Sequence, residues 1–312
     1  SLVPGAPISI PVVGASFADG QALSQPGSSA YINVPEPELI TQTNVIAQSK
    51  WGNPSNVVMA GAHLDSVQAG PGINDNGSGS AAILEVAEQM AKVKPTNAVR
   101  FAWWGAEESG LVGSNEYVAG LSEAEKDKIA LYLNFDMVGS PNHVFFVYDG
   151  DDSDKTGAGA GPEGSAQIEK TFEAFYTRVG EPFKGTDFSG RSDYGAFIAN
   201  GIPSGGLFTG AEGVKTADEA ALWGGTAGQQ YDPCYHLACD TYANNNDHAL
   251  DVNSDAIGFS VLQYAMNTSD VNGLPGKGNF PVLSGAKSPA AGANLTGGGG
   301  LHDHDHAPTH TE

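Results

Sequence analysis

Two patterns of hydrophobic and polar positions alternate along the chain. Short apolar runs bounded by Gly, Asn or Pro predict buried strands, which we place at residues 44–48, 57–61, 97–104, 131–137, 143–148 and 203–208. Apolar residues at helical spacing predict helices at residues 78–92, 165–179 and 247–266. Ser122 and Glu125 form a capping-box pattern, which predicts another helix as far as residue 130. Strands that alternate with helices are typical of an α/β fold with a mostly parallel sheet.

The composition changes toward both ends of the chain. Residues 14–27 are rich in turn-forming residues, so we predict turns there. Gly, Pro, Ser and Ala dominate beyond residue 268, which predicts a flexible tail over residues 269–312. Half of the eight histidines lie at the end of this tail, where they could bind metal weakly. A solvated low-complexity segment is the simpler interpretation.

Charge argues against nucleic acid as a partner, and hydropathy argues against a membrane span. The chain has 14 basic and 36 acidic residues, a net charge of −22, and no visible cluster of Lys and Arg, which disfavours nucleic acid. No apolar run is long enough to cross a bilayer. The first residues lack the basic start of a signal peptide, so we expect a mature protein or a fragment without a membrane span.

The two cysteines, Cys234 and Cys239, are separated by four residues. They could be unrelated buried thiols, and a structural zinc site would need a second pair that the chain lacks. We favour a local disulfide, which would rigidify the loop that holds Tyr235 and His236. A disulfide indicates an oxidising compartment outside the cytoplasm.

Potential metal ligands follow the predicted strands. His63 and Asp65 come directly after one strand, and Asp75 lies in a Gly-rich turn that leads into a predicted helix. Since ligands bind at the carboxyl ends of strands in open α/β sheets, these residues occupy the place where a site is expected. Glycines in the turn allow close approach of backbone and metal.

Carboxylates follow the next two strands as well. Glu107 and Glu108 are adjacent, and Asp136 ends a strongly apolar run. Burying such groups unpaired is costly, and a divalent cation removes that cost. A single strand-end Asp is usually a cap or an ion-pair partner, and a single His is usually structural, but five coincidences favour a metal site. The predicted set is His63, Asp75, Glu108, Asp136 and His236. Its mixed nitrogen and oxygen donors suit zinc, and its size suits two ions.

Five segments together form a more specific signature. They are GAHLDSV (61–67), GINDNGSGS (72–80), FAWWGAEE (101–108), YLNFDM (132–137) and CYH (234–236). In this order they resemble the bacterial secreted leucyl aminopeptidases, co-catalytic dizinc exopeptidases of peptidase family M28. The resemblance extends from about residue 44 to residue 268. It implies a three-layer α/β/α fold with a mixed, mostly parallel sheet, as in zinc exopeptidases and phosphorylase/hydrolase-like proteins.

The resemblance also implies roles for the metal ligands. His63 and Asp136 would bind one zinc, Glu108 and His236 would bind the other, and Asp75 would bridge them.

Further roles are implied for residues around the metals. Glu107 would be the general base, and Tyr235 would donate its hydroxyl to the tetrahedral intermediate. Asp65 would hydrogen-bond the ring of His63. Arg191 would hold the substrate near its free amino end, and Phe208 would form a wall of the pocket for the first side chain.

The implied protein is a secreted zinc aminopeptidase that removes a large hydrophobic first residue from peptide or protein N-termini, and we expect a monomer. Some family members carry an inserted protease-associated domain. Residues 1–27 resemble the end of that insert, so residues 28–268 would be a catalytic domain without its N-terminal part. Asp251 and Asp255 match side chains of a calcium site in some members, although two solvated acids are an equally good interpretation.

Three alternatives stay open at this point. A glutaminyl-cyclase-type zinc acyltransferase shares the fold and would use one zinc. A non-catalytic binding protein of the same fold would typically lack ligands or the base, whereas this chain has them. The third alternative is a protein that binds metal through its His-rich tail.

Overall fold

The computed structural model describes residues 12–34, 40–155 and 157–273. Its backbone falls into two units, which meet in sequence between Thr41 and Gln42. The first contains helix α1 (Phe17–Leu23), where Ser16 caps the helix by accepting the Asp19 N–H at 3.1 Å. The prediction of turns was therefore wrong over Phe17–Leu23, because the Ser-x-x-Asp cap starts a helix that tolerates an internal glycine, whereas residues 24–27 do form turns.

Most residues of the predicted end segments lie outside the described ranges. These are residues 1–11 of the protease-associated remnant and residues 274–312 of the tail, including all four tail histidines. Both domain assignments stay predictions.

The second unit is built around one mixed sheet. Its strands are β1 (Val45–Gln48), β2 (Asn53–His63), β3 (Asn97–Trp104), β4 (Ile129–Phe135), β5 (Phe146–Tyr148), β6 (Lys184–Thr186) and β7 (Ser204–Phe208). Its helices are α2 (Gly79–Met90), α3 (Val112–Ala119), α4 (Glu123–Lys126), α5 (Ser165–Val179), α6 (Tyr194–Ile198), α7 (Ala217–Trp223), α8 (Asp247–Met266) and α9 (Ser269–Asn272).

The strand order in the described sheet is β1-β3-β2-β4-β7-β5-β6. Pairings β3–β2, β2–β4, β4–β7 and β5–β6 are parallel, whereas β1–β3 and β7–β5 are antiparallel. The mixed, mostly parallel α/β sheet was thus predicted correctly. Since β2, β3 and β4 are parallel neighbours, their carboxyl ends lie at one edge of the sheet.

Helices cover both faces of the sheet. Val58 and Ala60 of β2 belong to a core with α2, α5 and α8, whereas Val57 and Met59 point to a core with α3 and α6. All four side chains are fully buried, which explains why the strand is a continuous apolar run instead of an alternating one. Burying one large aliphatic side chain contributes roughly 1.5–3 kcal/mol. The result is the three-layer α/β/α arrangement.

Long elements were predicted best. The structure has the strand at Asn97–Trp104 and the helices at Ser165–Val179 and Asp247–Met266, as predicted. The capping-box helix ends at Lys126, because strand β4 already begins at Ile129. The short helices α3, α6 and α7 were not predicted. No helix of the described ranges is long and apolar enough to cross a membrane.

An acidic loop lies between β5 and α5. Asp149 accepts the backbone N–H groups of Ser153 and Asp154, and Glu169 of α5 accepts the N–H of Gly150 at 2.9 Å. Burial, reinforced by the charge of Asp149, raises the pKa of Glu169 to about 8. The folded protein therefore holds a proton at Glu169 that the unfolded chain releases near pH 4.5.

We predict that this carboxyl makes the domain less stable as pH rises. The unfolded chain binds fewer protons here than the folded one, so the free energy of unfolding falls between about pH 5 and pH 8. Glu169→Gln keeps an acceptor for the Gly150 N–H without the charge, so its stability relative to wild type should increase over this interval. Urea unfolding at several pH values measures the difference. The exposed Glu163→Gln is the control, and an identical pH dependence in Glu169→Gln would contradict the prediction.

Candidate metal centre

The first half of the site lies where two parallel strands end. His63 is the last residue of β2, and Asp136 follows the last residue of β4. Because Gly61 is opposite Asn134 in the sheet, the side chains two residues further along both strands meet. His63 Nε2 lies 3.2 Å from Asp136 Oδ1, and His63 is fully buried.

Asp75 stands between two histidines. It lies in the wide, irregular turn Ile73–Ser78 that leads into α2. Its Oδ1 lies 3.2 Å from His63 Nε2, and its Oδ2 lies 3.2 Å from His236 Nε2. A carboxylate with one oxygen directed to each imidazole is arranged as a bridging ligand. Glycine is required at Gly79, because a Cβ there would overlap the carbonyl oxygen of Phe135.

The second half is formed by loops. Glu108 belongs to the loop after β3, and its Oε2 lies 3.0 Å from His236 Nε2. His236 lies in the loop closed by the disulfide between Cys234 and Cys239, which confirms the predicted pairing. The backbone of His236 has φ 59°, a left-handed conformation that a non-glycine residue adopts only when its surroundings hold it there.

The five predicted ligands therefore come together in two groups that share Asp75. Within each group, one donor atom per residue lies within 4.8 Å of the others. The groups are His63, Asp75 and Asp136, and Asp75, Glu108 and His236.

The charges of these groups fit a cation. Burial alone would lower the pKa of His236, but the adjacent carboxylates of Asp75 and Glu108 raise the pKa to about 10. Burial opposes ionisation of His63 too, yet the charges of Asp136 and Glu107 raise its pKa well above the ordinary value. The carboxylates therefore favour positive charge between them, and a bound divalent ion would supply that charge.

Two buried atoms point the same way. Glu108 Oε1 has no hydrogen-bond partner among the described residues, and His236 Nε2 faces the carboxylate oxygens of Asp75 and Glu108 at 3.2 and 3.0 Å without the geometry of a hydrogen bond to either. A buried polar atom without a partner is costly, and a metal ion satisfies an imidazole nitrogen and a carboxylate oxygen together. The donor set therefore fits zinc.

Asp65 orients both His63 and the Glu107–Glu108 loop. The carbonyl oxygen of Asp65 lies 3.0 Å from His63 Nδ1, whereas its carboxylate is 3.7 Å away. The carboxylate instead accepts the backbone N–H groups of Glu107 at 3.0 Å and Glu108 at 3.3 Å. The predicted contact with the ring is thus made by the backbone of Asp65, and its side chain holds the acidic loop.

Glu107 is buried beside the ligands, with 4% of its surface exposed. Burial raises its pKa well above the ordinary value, and the charges of Asp136 and Asp193 add to the effect, although His63 opposes it. Asp193 is itself fully buried, and burial raises its pKa to about 7. A carboxylate with a raised pKa beside a metal site has the proton affinity that a general base needs.

A chain of buried hydrogen bonds supports Asp136. Ser192 Oγ donates to Asp136 Oδ2 at 2.6 Å and accepts from Asn134 Nδ2 at 2.8 Å. Tyr132 donates its hydroxyl to Asn134 Oδ1 at 3.0 Å and accepts from Trp104 Nε1 at 2.8 Å. Sequence reasoning missed these supporting residues, although a polar Asn134 within an apolar strand was a usable signal.

The predicted substrate residues surround the same edge. The Tyr235 ring stacks on the His236 ring with centroids 3.8 Å apart. Burial together with the charge of Asp75 raises the pKa of the Tyr235 hydroxyl. Arg191 pairs with Glu212, with Nη1 and Oε1 3.1 Å apart, and the charges of both act on Tyr235. Glu212 was not predicted.

Phe208 ends strand β7 and lies in an aromatic cluster. Its ring stacks on that of Phe146 with centroids 6.0 Å apart, and Tyr231 meets Phe146 edge-on at 5.5 Å. Phe208 therefore packs among aromatic rings at the end of β7.

The two candidate calcium ligands do not form such a cluster. Asp251 and Asp255 are exposed on α8, and neither belongs to a group of three potential ligands in the described residues. The calcium assignment stays a prediction.

Comparison with known proteins identifies the family. The model of peptidase family M28 matches residues 44–261, which is more than half of the chain. The chain belongs to peptidase family M28. The match includes all five ligands, Glu107 and the disulfide loop, whereas residues 1–27 lie outside it.

Relatives of this M28 domain include several aminopeptidases. An aminopeptidase of Pseudomonas aeruginosa is 54% identical over 265 residues, which are 84% of this chain and 49% of that protein. A probable leucine aminopeptidase 2 of Aspergillus oryzae is 46% identical over 305 residues, covering 93% of this chain and 60% of that protein. The solved structure of a zinc aminopeptidase from Bacillus subtilis matches with a TM-score of 0.57 and 26% identity. The match covers 73% of this chain and 52% of that chain. The chain spans about half the length of the first of these relatives.

We predict that the M28 domain loses metal in steps that depend on which ligand is removed. His236→Ala should lower bound zinc from two equivalents to one, because His63, Asp75 and Asp136 stay in place. Asp75→Asn should reduce both, because both groups share this residue. Metal analysis after dialysis, with His248→Ala as a surface control, measures the difference. Full zinc occupancy in Asp75→Asn would contradict the bridging arrangement.

Proposed function

We propose that the chain is a zinc aminopeptidase that holds two zinc ions and hydrolyses the first peptide bond of its substrates. The observation that carries this proposal is the pair of donor groups that share Asp75, with the buried carboxylate of Glu107 beside them. The zinc aminopeptidase of Bacillus subtilis, which shares the fold, and the aminopeptidase relatives support it.

The chemistry divides between the metals and the chain. Zinc, when bound, acidifies water and polarises carbonyl groups. Glu107 takes the proton from the attacking water and later delivers it to the nitrogen of the leaving amine. Its raised pKa suits both steps, since it must hold the proton between them. The Tyr235 hydroxyl keeps its proton at neutral pH and donates a hydrogen bond to the carbonyl oxygen as negative charge develops.

The surroundings favour a large apolar first residue. Phe208, which packs against Phe146 at the end of β7, would supply an apolar surface for a Leu-like side chain. The relative of Aspergillus oryzae that is named a probable leucine aminopeptidase agrees with this preference. Arg191, which is paired with Glu212 and whose charge acts on Tyr235, helps to hold the substrate near its free amino end.

The disulfide also supports a location. Cys234 and Cys239 are bonded, and such bonds persist in oxidising compartments. We therefore propose that the enzyme is secreted. We further propose that it is a monomer and that its substrates are the N-termini of peptides or proteins.

Hydrolysis of leucyl p-nitroanilide tests the function. We expect turnover that a chelator removes and zinc restores, with two equivalents of zinc bound. Deletion of residues 297–312 should preserve this activity, whereas an enzyme dependent on the His-rich tail would lose it. If the chain binds one zinc ion and cyclises a peptide with an N-terminal glutamine, the proposal is wrong and the chain is a glutaminyl cyclase. Two bound zinc ions without turnover of any peptide would indicate a binding protein.

We predict that Glu107→Gln retains both zinc ions but lowers kcat by about 100-fold or more, because the amide cannot carry the proton. Steady-state kinetics with measured zinc content provide the test, and the exposed Glu116→Gln is the matched control. Wild-type turnover by zinc-loaded Glu107→Gln would exclude the assigned role.

A further inference from the structure

One acidic residue outside the ligand set holds the bridging loop. Asp240 directly follows the disulfide, and its side chain is 2% exposed. Its Oδ1 accepts the backbone N–H of Asn74 at 2.9 Å, and its Oδ2 accepts the backbone N–H of Asp75 at 3.0 Å. Its own carbonyl oxygen accepts the N–H of Ile73 at 3.1 Å. Asp240 thus binds three consecutive amides of the turn that contains the bridging carboxylate.

The same segment is tied down at a second point. Asp232 is fully buried and accepts from the side chain of Asn74 at 2.7 Å. Asn244 donates to Asp232 Oδ1 at 2.8 Å and to Asp240 Oδ1 at 3.3 Å. The hydrogen-bond partners of both carboxylates are N–H groups, so each carboxylate is satisfied as an acceptor. This network connects the turn of Asp75 to the disulfide loop through protein atoms alone.

We propose that Asp240 is a positioning residue for Asp75 and thereby sets zinc affinity in both halves of the metal centre. Asp75 belongs to both donor groups, and its backbone N–H is fixed by Asp240 Oδ2. A shift of this turn moves both carboxylate oxygens of Asp75 relative to His63 and His236. This inference rests on the proposed metal site.

Two substitutions separate position from charge. Asp240→Asn has nearly the same shape, but its NH2 group would face an N–H donor of Asn74 or Asp75, and it removes a negative charge. Asp240→Glu keeps the charge but extends the side chain by one methylene, so the carboxylate can no longer accept both amides in the present arrangement. Positioning predicts that both variants bind zinc more weakly, whereas long-range attraction predicts a loss only in Asp240→Asn.

The experiment is a zinc titration of the metal-free full chain against a competing chromogenic chelator. Loss of a hydrogen-bonding neighbour of a ligand commonly lowers metal affinity about 10- to 100-fold. We expect at least about a 10-fold loss for both zinc ions in Asp240→Asn and Asp240→Glu. Substitution with Co²⁺ should also change the visible absorption spectrum at two equivalents, which a merely less stable fold would not do.

A destabilised control guards against an indirect effect. Thr171 is fully buried on α5, and its hydroxyl lies 2.7 Å from that of Tyr264 on α8, away from the ligands. Thr171→Val should lower the Tm without changing either zinc affinity. If near-UV circular dichroism shows that Asp240→Asn does not fold, the zinc affinities of Asp240→Glu alone test the positioning role.

The outcomes are distinct. Unchanged affinity for both ions in Asp240→Glu, or loss at one site only in both variants, overturns the positioning role. A wild-type chain that binds fewer than two zinc ions instead contradicts the proposed metal centre itself, whatever Asp240 does.

Discussion

The parallel pairing of β2, β3 and β4 is the constraint on which the site depends. It brings three chain segments to one sheet edge, with His63 opposite Trp104 and Gly61 opposite Asn134. The buried apolar faces of these strands fix the register, because a slip of one residue would turn every side chain to the other face. The register of the sheet therefore brings His63 and Asp136 together.

Such convergence has an electrostatic consequence. Several carboxylates surround two imidazoles in a buried space. Their negative charge favours a positive charge between them, and it raises the pKa values of His63 and His236. Backbone and side-chain donors reduce this need only in part. Asp65 and Asp240 use their carboxylates to hold backbone N–H groups, and Ser192 donates to Asp136. The negative charge that these bonds leave uncompensated lies on the donor atoms that face each other. The arrangement therefore suits divalent cations.

The five candidate ligands, which the structure brings together in two groups, could be found in the sequence because each one follows a strand or lies in a loop with an unusual composition. The fold class could also be predicted, since fully buried strands and long amphipathic helices have distinct periodicities. The short helix α6 could not, because five residues give no clear period. The roles of Asp240 and Glu212 could not be predicted from the sequence for another reason. Their partners, Asp75 and Arg191, lie far away in sequence, and only the folded chain brings them together.

The two halves of the metal centre are held in different ways. His63 and Asp136 are anchored at the ends of hydrogen-bonded strands, whereas Glu108 and His236 lie in loops. A loop has more conformational freedom to lose, so its ligands need additional constraints to keep the same geometry. The disulfide restricts the His236 loop, and Asp240 joins that loop to the turn of Asp75. Because Asp75 also faces His63, these constraints connect the loop-borne half of the centre to the half that the sheet holds.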